Sequence, residues 1–406
     1  MGRRKKGEGT WGEKTIHGTR YKYYRFTTEG KEKTFYGKTT KEIQIKIDEF
    51  KRQERLRQSY INVPAISFSN YILNWLNTVK SPRLKPSTFD TYENYIAAYI
   101  SDFNEYNIGD EQMASINSHM FQEHINTLTK KYSKATINKT YMIIKQCLRY
   151  AYKNKDIDDD FTDMLVLPSE EVVKNKKKEI IFLSDEDMNK LYKESKRINV
   201  EGEHKRTDRL GTPFYGINAH LLVLIMYTGM RRGEMLALQW KDIDLKNNKL
   251  KVSHTASIIK NRNKTSELDD NYVRVVTSPK TKNSIRTIPL SKRAQEALKS
   301  LSANSPNHKA NDFIATTKTG TYVTERNLRK TLISMLKNAE CDAQKCDIHG
   351  LRHSFGSALI RQKVDVKIVS KLLGHKDVTT TYNIYIHILE EQEVEAIRVL
   401  DNIPNM

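Results

Sequence analysis

The chain has 406 residues, 38% of them hydrophobic, enough for two or three packed domains and too many for a disordered tail. Its 69 Lys and Arg against 49 Asp and Glu leave a formal charge of +20, which works against compactness and points to a polyanionic partner, nucleic acid first. No apolar run of about 18 residues, secretory leader or lipidation motif argues for a membrane. The three cysteines, Cys147, Cys341 and Cys346, do not read as a disulfide framework, so a reducing cytoplasm is expected. Cys341, Cys346 and His349 lack a fourth ligand and a Cys-x-x-Cys pair, so neither a metal nor another cofactor is expected.

The first 60 residues carry 17 Lys or Arg against eight Asp or Glu. An arm of Arg3, Arg4, Lys5 and Lys6 precedes three β-rich stretches, Thr10 to Ile16, Arg20 to Thr27 and Glu32 to Tyr36, with turns at Gly18 and Gly30. Arg20, Lys22 and Arg25 interleave with Tyr21, Tyr23, Tyr24 and Phe26. Thr40 is expected to cap a helix to about Gln58, with Ile43, Ile47 and Phe50 at helical spacing. Residues 1–62 therefore read as a three-stranded sheet with one helix, burying an aromatic face and offering a basic one to DNA.

Residues 63–170 read as a helical bundle with spans Phe68 to Val79, Pro86 to Ile100, Ser115 to Thr129 and Lys134 to Asn154. Lys85, Lys134 and Lys139, with Lys130, Lys131 and Lys145, are expected near helix starts, where amides and lysines together suit phosphates. Residues 171–180 are polar and charged and form a linker.

Residues 181–406 open on a capping box, Ser184-Asp-Glu-Asp187. A helix over His220 to Tyr227 is followed by strands at Leu250 to Ile258, Val273 to Thr277 and Ser284 to Leu290. Helices return at Thr324 to Asn338, Ser354 to Arg361, Val366 to Leu373 and Thr379 to Tyr385. The fold class is thus multidomain α+β, the last domain mainly α with a small antiparallel sheet.

This last domain holds the residues that carry chemistry. Displacement at a phosphodiester needs cationic donors on the non-bridging oxygens and an acid for the leaving oxygen. Arginine forks suit the first task, and Arg231 comes after a helix end at Thr228-Gly229 with Glu234 three residues on, placed to orient it. His349 and Arg352, at i and i+3, share a helix face, whereas His353 points elsewhere. Lys280, in Ser278-Pro-Lys-Thr-Lys282, is expected at the tip of a hairpin, from which it can reach a departing 5′ oxygen.

Taken together, Thr228-Gly-Met-Arg-Arg-Gly-Glu234, Pro279-Lys-Thr, His349-Gly-Leu-Arg-His353, Leu372-Leu-Gly-His375 and Tyr385-Ile-His resemble, in order and spacing, the tyrosine recombinase or lambda-integrase family. The upstream layout resembles phage and integrative-element integrases. The resemblance implies that Arg231 and Arg352 grip the scissile phosphate, His349 hydrogen-bonds it, and His375 fills the second histidine position. Glu234 would buttress Arg231, Lys280 would be the general acid in preference to Lys282, and Tyr385, rather than Tyr382, the nucleophile of a 3′-phosphotyrosine intermediate. Neither ATP nor a metal is then required. It further implies an enzyme that integrates and excises a mobile element in a bacterial host, acting as a homotetramer on double-stranded core and arm sites. A DNA-bending accessory protein and an excisionase are possible partners. The acidic segment 389–400 would be a tail helix for a neighbouring protomer. Two other readings are a DNA-binding or architectural protein without catalysis and a type IB topoisomerase.

Overall fold

The protein is described from a computed structural model over residues 9–16, 19–28, 31–50, 66–102, 107–173, 181–199, 211, 213–264, 271–278, 284–305 and 308–398. The chain divides into two compact units, 1–175 and 176–406, with the boundary inside the charged segment expected to be a linker.

The first unit starts with an antiparallel sheet of β1 (Thr10–Ile16), β2 (Thr19–Thr28) and β3 (Lys31–Gly37), in the order β1-β2-β3. A helix over 40–50, α1, comes next. Its cap is Thr39, whose hydroxyl accepts from the Glu42 amide at 3.2 Å, one residue before the expected Thr40. Ile43 and Ile47 are buried, and Phe50 packs against Phe26 and Phe35 at ring separations of 5.7 and 5.5 Å.

The two faces of the sheet are not divided as expected into aromatic and basic. The consecutive Tyr23 and Tyr24 interrupt the aromatic–basic alternation, and strand residues point to opposite faces in turn. Arg20 and Lys22 therefore share a face with Tyr24 and Phe26, while Arg25 shares the other with Tyr21 and Tyr23. On that second face Tyr23 meets Tyr36 at 6.0 Å, and the Arg25 guanidinium lies 5.6 Å from the Tyr23 ring. Arg20 and Arg25 also pair with Glu13 and Glu32. Arg3, Arg4, Lys5, Lys6, Gly18, Gly30 and residues 51–58 of the expected helix lie outside the described residues.

Four helices make up the rest of this unit's core: α2 (Phe68–Trp75), α3 (Pro86–Ile96), α4 (Ser118–Lys131) and α5 (Lys134–Asn154). α2 and α3 run on into π turns at Leu76–Lys80 and Ala97–Ser101. Asn117, not Ser115, caps α4, its side chain accepting from the His119 and Met120 amides. The buried faces interlock around Phe68 and Phe121, edge to face at 5.1 Å. Lys85 occupies the cap position of α3 and Lys134 opens α5, 3.9 Å from Glu170. The Lys139 ammonium lies 5.1 Å from the Tyr92 ring centroid. Lys130 and Lys131 end α4 instead of opening a helix.

The Ser133 hydroxyl caps α5 by accepting from the Thr136 amide at 3.3 Å. Ser133→Ala is expected to lower stability by about 1 kcal/mol, read as a lower urea midpoint with unchanged slope.

The second unit is organised around α7 (Ile217–Thr228), apolar on all sides and accordingly buried on all sides. α6 (Asp185–Glu194) starts at Ser184, which accepts from the Asp187 amide at 3.0 Å. The Asp187 carboxylate is turned to the Asp342 and Ala343 amides. A short α8 (Arg232–Ala237) precedes β4 (Ile243–Asp244), β5 (Lys249–Val252), β6 (Thr255–Lys260), β7 (Tyr272–Thr277) and β8 (Arg286–Pro289).

The single strand expected over Leu250 to Ile258 is two strands, broken at Ser253-His254 and assigned to different sheets. β4-β5-β8 form one sheet and β6-β7 the other. β7 pairs with β6 and β8 with β5, so β7 and β8 are assigned to different sheets, and the stretch between them, expected to carry Lys280 on a hairpin tip, lies outside the described residues.

The remaining helices are α9 (Lys292–Asn304), α10 (Glu325–Asn338), α11 (Ile348–Arg361), α12 (Val366–Leu373) and α13 (Val378–Arg398). α9 is additional to the expected helices, although Ser291 caps it and Ala294, Ala297, Leu298 and Leu301 line its buried face. Among the described residues no helix is long and apolar enough to cross a membrane.

Candidate active site

Glycine ends α7 and lets α11 come close to it. Gly229 is left-handed at φ +64°, and a side chain there would collide with Phe355 of α11, so the two helices approach only because Gly229 lacks one. Its carbonyl accepts from Arg352 Nη1 at 2.7 Å. Two residues on, Arg231 is extended at the start of α8. Its amide and its Nη1 donate to the two oxygens of Glu234, at 2.8 and 2.9 Å.

Glu234 is buried and also receives the fork of Arg286, at 3.0 and 2.9 Å. Burial works to raise its pKa, but the hydrogen bonds and charge of Arg286, then Arg231, outweigh it and hold the carboxyl below its ordinary value. Arg286 belongs to none of the motifs that mark the site in the sequence. Its signal there is a charged residue on the inward register of a strand whose Ile288 is also buried, as is Leu290 just after it.

The C-terminus of α12 gathers the three arginines. Arg286 Nε, Arg352 Nη2 and Arg231 Nη2 donate to the successive carbonyls of Leu372, Leu373 and Gly374, at 2.6, 2.7 and 3.2 Å. These are carbonyls that a helix end leaves unpaired, at the negative end of its dipole. Gly374, at φ +68°, turns the chain there, and a Cβ would press on the Arg286 guanidinium. One helix end thus fixes three forks, with one carboxylate among them and an excess of positive charge.

Arg352 is 2% exposed, whereas the side chain of Arg231 is 38% exposed. Burial, and then the nearby Arg231, push the Arg352 pKa down from 12.5, without taking the charge from the guanidinium at neutral pH.

Three histidines border this cluster, each with its pKa held below the ordinary imidazole value. His349 is exposed at the start of α11, with its pKa lowered by partial burial and then by Arg352. His375 Nδ1 lies 2.7 Å from the Thr381 hydroxyl; burial, then Arg352 and Arg231, push its pKa down to about 3. His353 is buried edge-on between two rings, 4.6 Å from His349 and 6.3 Å from Tyr385.

Tyr385 is 1% exposed and sits where α13 departs from helical geometry, at φ −111° and ψ 15°. Its ring and hydroxyl lie against Gly356 of α11, in the space a Cβ would fill. The hydroxyl has no hydrogen-bond partner among the described residues. Burial raises the phenol pKa to about 12, with Arg352 acting in the opposite direction. Arg231, His349, Arg352, His375, Glu234 and Tyr385 therefore belong to one locality. Lys280 and Lys282 lie outside the described residues. Tyr382, one turn before Tyr385, is 40% exposed.

Known proteins resemble this chain in sequence and in fold. The phage integrase family profile matches residues 182–392. A "Tyrosine recombinase XerC-like" protein of Caldanaerobacter subterraneus subsp. tengcongensis is 28% identical over 94% of this chain and 96% of its own length. The integrase of Staphylococcus phage L54a is 24% identical over 87% of this chain and 99% of its own. In fold, the chain is similar to a variant of the Tn1549 transposon integrase in complex with transposon right end DNA. That likeness has a TM-score of 0.60 at 18% identity and covers 82% of this chain and 100% of the other. The matched span takes in Arg231 through Tyr385 and just over half of the molecule, and the chain belongs to the phage integrase family, the tyrosine recombinases.

Proposed function

We propose that the protein integrates and excises a mobile element by cutting and rejoining DNA through a 3′-phosphotyrosine at Tyr385. The observation that carries this reading is the set of arginine forks held on the α12 terminus beside a buried tyrosine. Arg231 and Arg352 place charge-assisted donors on the scissile phosphate, and His349 and His375 add neutral N–H donors. Lys280 protonates the leaving 5′ oxygen. Each transesterification conserves the phosphodiester energy, so rejoining is the same chemistry in reverse.

A solved relative supports DNA as the partner. One solved neighbour is an integrase bound to the end of its transposon, which fits double-stranded DNA as the partner here. The N-terminal sheet (1–62) would take arm sites and the helical domain (63–170) core sites, joined by the linker 171–180 to the catalytic domain 181–406. Arg20, Lys22, Arg25, Lys85, Lys134 and Lys139, with the Arg3–Lys6 arm, would contact phosphates.

Because the Tyr385 hydroxyl is buried, it must move to reach a phosphate. The non-helical backbone at Tyr385 itself is the hinge available for that movement. Ile397 is 65% exposed, which fits a tail that docks on a neighbour in a homotetramer. A groove of about 790 Å³ beside His375, lined by Ile285, Ile368, Lys367, Lys371 and Val378, matches that tail in charge and apolar character. A DNA-bending protein and an excisionase complete the expected assembly.

Incubation with a nicked suicide attachment-site substrate tests the reading. A covalent protein–DNA adduct on a denaturing gel is expected, and its absence removes the enzymatic function in favour of a DNA-binding role. Relaxation of arbitrary supercoiled DNA without junction products would assign a topoisomerase. Non-covalent affinity should fall steeply with salt, by about 10³-fold or more between 50 and 200 mM for six or more phosphate contacts. A flat salt dependence by fluorescence anisotropy would contradict phosphate-dominated binding.

A further inference from the structure

The hydroxyl of Thr381 lies 2.7 Å from Nδ1 of His375 and has no other hydrogen bond among the described residues. Thr381 is 0% exposed and stands one turn before Tyr385 on α13. Tyr385 and Ile388 join Val369 and Leu373 of α12 in a small apolar core. Residues four apart share a helix face, so Thr381 puts a hydroxyl where that face is otherwise apolar. A buried hydroxyl costs free energy unless it is bonded, and its one partner here is a ring at the arginine cluster.

A bond between a hydroxyl and an imidazole nitrogen can run either way, and the two directions leave the ring different. With its pKa pushed down to about 3 by burial, then by Arg352 and Arg231, His375 has a single ring proton to place. If Nδ1 carried it, the ring would donate and the buried hydroxyl proton would be left without an acceptor, at a cost of about 1–3 kcal/mol. Nε2 would then turn a lone pair toward an anionic phosphate. If Nε2 carries the proton, the hydroxyl donates to Nδ1 and every polar group is used. The Nε2–H, on the far side of the ring from Thr381, is left for the substrate.

We propose that Thr381 is a positioning residue whose hydroxyl donates to Nδ1 of His375 and so fixes the tautomer that offers Nε2–H to the scissile phosphate. The inference rests on the phosphotyrosine reading above. It makes the helix that carries the nucleophile also the element that sets a phosphate donor. The break in α13 falls at Tyr385, after Thr381, so the tyrosine can leave its packed position while the preceding turn keeps its bond to His375.

The test joins single-turnover adduct formation on the nicked substrate to nitrogen NMR of the full-length protein labelled with 15N-histidine. Thr381→Val keeps the β-branched shape and removes the hydroxyl. It is expected to cleave about 10-fold more slowly or worse, as for other lost partners that orient a histidine, and Thr381→Ser to return most of that rate. Thr381→Ala is measured the same way and serves alone if the valine variant does not fold. In a His375→Phe background there is no ring nitrogen left to position, so adding Thr381→Val should change the rate by less than about twofold. In the spectra, the His375 signals are those missing from His375→Phe, and the parent is expected to show the proton on Nε2. A valine variant at the parental rate, an equal loss in both backgrounds, or a proton on Nδ1 overturns the proposal; the equal loss assigns Thr381 a packing role. If the parent itself gives no adduct, it is the phosphotyrosine reading that falls, while the spectra still report the tautomer, so the two failures are distinct.

Discussion

Tyr385→Phe is expected to abolish the covalent adduct while leaving the fold and non-covalent DNA binding intact. The phenol is 1% exposed and its hydroxyl has no partner among the described residues, so removing that oxygen breaks no hydrogen bond. A buried unsatisfied polar atom is a cost, and its loss should leave thermal stability unchanged or slightly raised. Activity should move the other way, by the whole of the covalent pathway, because no other atom at that position can form the phosphoester. Tyr382 is the control. It is 40% exposed one turn earlier, and Tyr382→Phe should cleave at close to the parental rate. An adduct persisting in Tyr385→Phe and lost in Tyr382→Phe would exchange the two assignments. The measurement is a denaturing gel beside a melting curve, and the divergence of the two readouts separates chemistry from folding.

The helical parts are legible in the sequence because their caps and apolar spacing are local. Ser133, Ser184 and Asp365 each bond an amide at the start of their helices, and α12 is legible to both of its ends. The sheets are less legible, since strand pairing is a long-range property. The segment over Leu250 to Ile258 has one composition but supplies two sheets, and β8 crosses back to β5 over β6 and β7. In the N-terminal sheet the difference is one of register: the doublet Tyr23-Tyr24 moves Arg25 to the face opposite Arg20 and Lys22. The site is recognisable from motif order, as fixed spacing reports which residues share a helix face. Arg286 escapes because its partners, Glu234 and the Leu372 carbonyl, are 52 and 86 positions away. The burial of Tyr385 against Gly356 is likewise a contact between helices that no local pattern announces.

Glu234→Ala is the substitution expected to damage both stability and activity most among those that touch no substrate. The carboxylate and the Arg286 guanidinium are both buried and joined by two hydrogen bonds, so deleting one partner leaves an uncompensated charge. Breaking such a pair costs about 3–5 kcal/mol. Replacing both partners by apolar residues, as in Glu234→Met with Arg286→Met, should recover much of that stability, because the desolvation of both ions disappears with their attraction. Cleavage should not recover, since Arg231 has lost the oxygens that hold its amide and its Nη1, and it should remain depressed by about 10²-fold, as for a missing transition-state donor. Recovery of both in the double variant would reduce the pair to a structural role.

Acid gives an independent check. The folded pKa of Glu234 lies below the ordinary 4.5, so its contribution is present above that value and is lost as pH falls through the folded one. Denaturation monitored from pH 6 downwards should show a loss in the parent that is absent from the Met–Met variant. An equal loss in both would place the acid sensitivity elsewhere.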